Sequence, residues 1–157
     1  MTTRIAPSDF LLPAGADPRI KAFHALWLEK CQGDLPESSQ FDLDALSTDY
    51  PLLARVGMDA SGEALLWLDV ANAAHWPFKS PVKGRPVVQS VPLPSIKRVI
   101  AALHQTLTSG VPDYYETMSW VHGGHSVSLA RIAVPVKGET GPELIAFWVV
   151  LEHQNPS

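Results

Sequence analysis

Leu144-Ile145-Ala146-Phe147-Trp148-Val149-Val150-Leu151 is the stretch that decides the fold of this chain. Extended, it places Leu144, Ala146, Trp148 and Val150 on one face and Ile145, Phe147, Val149 and Leu151 on the other. A strand with one solvated face alternates apolar and polar residues, and this one does not. The segment is short, rich in β-branched and aromatic residues, and follows the breaker Gly138–Gly141–Pro142. Those features favour a strand over a buried helix. The pattern therefore predicts a central strand covered on both sides.

Working back from it, Ser126 to Val136 reads as a second strand, with Ser128, Ala130, Ile132, Val134 and Val136 on one face. Tyr114 to Val121 reads as a third, joined to the second through His122-Gly123-Gly124-His125, a tight-hairpin signal. Upstream, Ile96, Val99, Ile100, Leu103 and Leu107 recur at helical spacing within Ser95–Ser109. Ser95 is the expected N-cap, and Gly110-Val111-Pro112 the stop.

In the first half, Asp17-Pro18 opens a helix striped by Ile20, Phe23, His24, Trp27, Leu28 and Cys31, closing near Gly33. A helical turn is expected at Phe41–Leu46. Strands follow at Leu52–Met58 and Glu63–Val70, around the turn Asp59-Ala60-Ser61-Gly62. Ala71–Pro94 holds five prolines and is expected to be irregular. Residues 1–16 read as a flexible lead-in, 17–153 as one α+β domain, and 154–157 as a tail.

The 157 residues are 46% apolar, enough for one unstapled core. A net charge of −4 argues against general nucleic-acid binding. The single Cys31 cannot form an intrachain disulfide and reads as a buried thiol. Met1–Ala14 does not read as a signal peptide, and no apolar run approaches the ~20 residues that span a bilayer. The expectation is a cytoplasmic protein without membrane association.

Chemical motifs are sparse. His122 and His125 could stand as a cross-strand pair about 5 Å apart, but zinc needs three or four protein ligands and no third is identifiable. Gly124-His125-Ser126-Val127-Ser128 lacks the closing glycine and the strand-to-helix setting of a nucleophile elbow. His75-Trp76-Pro77-Phe78 could line a cavity, with one polar handle among aromatics, although core-filling aromatics fit it too. His104, next to Leu103, could point inward at a ligand or haem. Candidate ligand residues are therefore His75, Trp76, Phe78, Leu103 and His104, with no catalytic or metal-binding set.

Several short motifs resemble those of a PAS-type domain family of bacteria, mostly alphaproteobacteria. Trp27 with Gly33-Asp34-Leu35-Pro36 is similar to that family's Trp-bearing helix and G-x-x-P turn. Phe41-Asp42-Leu43-Asp44-Ala45-Leu46 is similar to its acidic-apolar turn, and Gly110-Val111-Pro112 to its G-x-P. Arg131-Ile132-Ala133-Val134-Pro135-Val136 is similar to its R-x-x-x-P-L strand, with Val for Leu. The family's arginine and Gly-Thr turn on the second strand are missing from Leu66–Asn72, so no ligand contact carries over there.

The resemblance spans Pro18 to Glu152. It implies a five-stranded antiparallel sheet of order 2-1-5-4-3, with helices on one face and the N-terminal helix on the sheet or at a dimer interface. The implied function is a non-catalytic sensory or protein-interaction module in bacterial signalling, open to a small ligand of unknown identity. A homodimer or signalling partner would meet the stripe Ile20, Phe23, Trp27 and Leu28. Two alternatives stay open: a carrier or enzyme on an NTF2-like α+β cone, and a PAS domain with a haem-type group at His75 or His104.

Overall fold

A computed structural model describes residues 10–76, 81–122 and 125–151, with the backbone alone at His75, 117–122 and 125–127. Helix α1 (Pro18–Lys30) begins at Asp17, whose carboxylate accepts from the Arg19 amide at 2.8 Å, with Pro18 in the first turn where no N–H is missed. The short α2 (Leu43–Leu46) is capped by Asp42, and α3 (Ile96–Ser109) ends at Gly110 in the left-handed region at φ 70°. Ser95 makes no side-chain capping bond. It closes a 3-10 turn, Leu93–Ser95, and its own backbone is already helical.

The strands are β1 (Leu53–Met58), β2 (Leu65–Val70), β3 (Asp113–His122), β4 (His125–Lys137) and β5 (Pro142–Val150). They form one antiparallel sheet in the order β2-β1-β5-β4-β3. That order is the one implied by the resemblance, and it puts β5 between β1 and β4, as its two-sided apolar pattern requires. β2 starts two residues later than expected. The Asp59 carboxylate takes the amides of Glu63 and Ala64, holding them in the turn rather than the ladder.

The sheet has two different covers. On one side, Ile20, Phe23 and Trp27 of α1 pack on Leu53, Ile132, Val134, Ile145, Phe147 and Val149. On the other, Val99, Leu103 and Leu107 of α3 pack on Ala54, Val56, Leu129, Ala133, Leu144, Ala146 and Trp148. Consecutive residues of β5 thus serve opposite cores. Of the two places expected for the N-terminal helix, on the sheet or at a dimer interface, α1 takes the first: it covers the second face of its own sheet. Burying each large apolar side chain there is worth about 1.5–3 kcal/mol.

The same packing revises the interface reading. Ile20, Phe23 and Trp27 have no exposed surface, and Leu28 is half-buried. The stripe offered for a second chain is therefore consumed by the sheet of its own. Part of the lead-in belongs to this core as well: Ala16 is buried, and Phe10 and Leu12 pack against the α1 side.

Candidate functional site

The α3 side carries an irregular cover: among the described residues 71–76 and 81–95 are three 3-10 turns, at Ala73–His75, Val87–Gln89 and Leu93–Ser95. This segment adheres to the outer edge of β2, where Gly84 donates to Trp67 O at 2.7 Å and Trp67 donates to Arg85 O at 3.0 Å. Its own Val87, Ser90 and Val91 are buried.

Three tryptophans meet under this cover. Trp76 packs on Trp148 with ring centroids 5.4 Å apart, and Trp67 lies 6.0 Å from Trp148. The Trp76 indole donates to Ala71 O at 2.7 Å. The indole N–H groups of Trp67 and Trp148 are buried without a hydrogen-bond partner.

Arg131 stands beside Trp148. It is the cross-strand partner of Trp148 on β5 and of Tyr115 on β3, and it is 1% exposed. Its parity on β4 matches Leu129 and Ala133, so the side chain enters the α3 side of the sheet. Nη2 donates to the Asp113 carboxylate, while Nε and Nη1 are buried without a partner. Burial pushes the guanidinium pKa down, Asp113 opposes that shift, and the nearby positive charge of Arg98 adds to it. Arg98 itself lies over the Tyr115 ring, 4.8 Å from its centroid.

Of the residues singled out from sequence, Trp76 and Leu103 are brought into one core. His104 follows Leu103 on α3 and is half-buried, turned by about 100° from it. His75 sits in the turn before Trp76, its side chain outside the described residues, as is all of Phe78. His122 and His125 pair in the β3–β4 register, and Ser126 pairs with Val121, their side chains again outside the described residues. Among the described residues, no three His, Cys, Asp or Glu side chains gather as a metal site would require.

Sequence reading missed Arg131, Trp67 and Trp148 as site residues. Arg131 was visible only as part of a motif, although a sign of its role lay in the pattern. A lone charge between Leu129 and Ala133, on a strand face that is otherwise apolar, predicts a buried ion with work to do.

The arrangement concentrates donors. Arg131 offers N–H groups at Nε and Nη1, and Trp67 and Trp148 one each, inside an aromatic and aliphatic surround. Comparisons with protein-family models and with curated proteins find no match. The chain is thus placed by its fold: an α+β protein built on a five-stranded antiparallel sheet of order 2-1-5-4-3. Among the described residues, no helix is long and apolar enough to cross a membrane.

Proposed function

We propose that this chain is a PAS-type sensory module of bacterial signalling, working in the cytoplasm, that responds to a small molecule bound on the α3 side of its sheet. The observation that carries this reading is the set of unsatisfied donors on Arg131, Trp67 and Trp148. Buried polar groups in folded proteins nearly always have partners, so such a cluster points to something that supplies acceptors. The irregular cover formed by residues 71–76 and 81–95 is the natural moving part, because irregular covers open at lower cost than sheet or helix.

The module is non-catalytic in this reading and passes its signal through contacts with a second copy or a partner protein. With Ile20, Phe23 and Trp27 enclosed, such contacts use other surfaces, to which Leu28 can contribute only its exposed part. Mass spectrometry of the supernatant after denaturing the purified protein tests the reading. A stoichiometric small molecule supports it. A bare protein that no small molecule stabilises sinks it, as would robust esterase, phosphatase or nuclease turnover lost on substituting His122, His125 or Ser126.

A further inference from the structure

We infer that the ligand is a small organic carboxylate with a flat apolar body, its head held by Arg131 and its body against the tryptophans. This inference rests on the ligand-sensing reading above and names the ligand's chemistry.

Every unsatisfied polar atom in this cluster is a donor. A guanidinium has five N–H groups and no acceptor, and an indole has one N–H and no acceptor. Asp113 occupies Nη2 alone, leaving Nε and Nη1 of Arg131 without partners, together with Nε1 of Trp67 and of Trp148. A ligand hydroxyl or amide would bring donors of its own, whereas a carboxylate brings acceptors only.

The charges favour an anion as well. Arg131 is 1% exposed but Asp113 is 38% exposed, so the carboxylate that answers the buried cation is itself shared with water. Arg98, over the Tyr115 ring, adds a second positive group to the same neighbourhood. A buried cation is tolerable when paired and hydrogen-bonded at all its positions. A bound monoanion completes that pairing. Among the described residues the rest of this side is apolar: Trp76, Leu103 and Leu129 belong to the same core as the two tryptophans. The Trp67 and Trp148 rings, tilted by 56°, and Trp76, tilted by 60° to Trp148, favour a planar partner. Were Arg131 merely a strap between β3 and β4, its single bond to Asp113 would leave its other nitrogens buried for no return.

The test uses the whole chain, with benzoate, indole-3-carboxylate, acetate, benzamide and inorganic phosphate as probes, read by calorimetry and by tryptophan fluorescence. The two aromatic carboxylates should bind, and the neutral benzamide should bind about tenfold or more weakly than benzoate, the value of a charge-assisted hydrogen bond. Arg131→Met should lose that preference while still unfolding cooperatively. Should that variant fail to fold, Trp148→Phe keeps a ring and removes one donor, and should weaken benzoate several-fold. Benzamide equal to benzoate, phosphate tighter than both, no binding by either aromatic carboxylate, or a folded Arg131→Met with unchanged binding would each overturn the assignment. A neutral molecule released on denaturation, with no carboxylate binding, overturns the carboxylate and keeps the sensor. No released molecule and no binding of any probe overturns both.

Discussion

Trp27 Nε1 donates a 2.9 Å hydrogen bond to the backbone carbonyl of Pro135, joining α1 to β4 across 108 residues of chain. β3 begins opposite Ala133, so at Pro135, among the described residues, β4 pairs in the sheet with β5 alone. A proline is tolerated there because no ladder bond is lost on the open side. Trp27 then satisfies the carbonyl and fills the α1 core with the same ring. Trp27→Phe should keep most of the packing but orphan Pro135 O, at about 1–2 kcal/mol. Trp27→Ala should cost about 3–5 kcal/mol. Urea unfolding of the two variants measures the difference, and equal losses would show that the bond contributes nothing.

Gly138 makes room for an ion pair. A Cβ there would stand 2.1 Å from Glu143 Oε2 and 2.7 Å from its Cγ. Glu143 is buried and holds Arg55 at 2.8 Å. Gly138→Ala should expel Glu143 and cost about 1–3 kcal/mol. In a Glu143→Ala background the obstacle is gone, so the same change should cost measurably less. Additivity in that double-mutant cycle would refute the link.

His24 supplies a pH dependence. Burial between the Phe10 ring, 5.3 Å away, and Trp27, 6.0 Å away, holds its pKa below the ordinary 6.5. The unfolded chain then binds the proton more readily than the folded one. The stability this ring contributes is complete above pH 6.5 and is lost as pH falls below 6.5 through the folded value. Melting temperature followed downward from neutral pH should drop less in His24→Phe than in the parent protein. Parallel curves would remove His24 as the source.

Cys31 should be a slow nucleophile. Burial, with the Asp34 charge adding to it, pushes its thiol up to about 11. Little thiolate exists near pH 8, so alkylation of the native protein should be well slower than in urea. Equal rates in the two conditions would contradict the half-buried environment.

Much of this fold was legible because its signals are periodic. Strand β5 announced its central place through two apolar faces, and α3 through Val99, Leu103 and Leu107 at helical spacing. The α1 stripe was equally clear, but a stripe does not name its partner: Ile20, Phe23 and Trp27 would look the same against a second chain. Only their burial on Phe147 and Ile132 decides it. The site was harder for a different reason. Trp67 comes from β2, distant in sequence from the β4–β5 pair that carries Arg131 and Trp148, and their unsatisfied nitrogens appear only once those strands are in register. Trp76 and Leu103 were found by being aromatic or apolar near an irregular segment, which marks a core wall and not a polar role.

Arg131 and Asp113 should respond unequally to substitution. Asp113→Ala removes the one hydrogen-bonded counter-charge of a guanidinium that is 1% exposed. Breaking a buried pair in this way costs about 3–5 kcal/mol, and the partial exposure of Asp113 places the expected loss at the lower end, about 3 kcal/mol. Arg131→Met leaves an exposed carboxylate that water can solvate and fills the space with an unbranched apolar chain. Replacing buried ion pairs by apolar groups is often neutral or stabilising, so this variant should melt within a few degrees of the parent or above it. The asymmetry matters for function: a residue whose removal costs the fold little, and whose presence requires a buried charge, is maintained for something other than stability. Thermal unfolding of the two single variants and the double variant checks it. If Arg131→Met proves as destabilising as Asp113→Ala, the pair is a structural strap between β3 and β4.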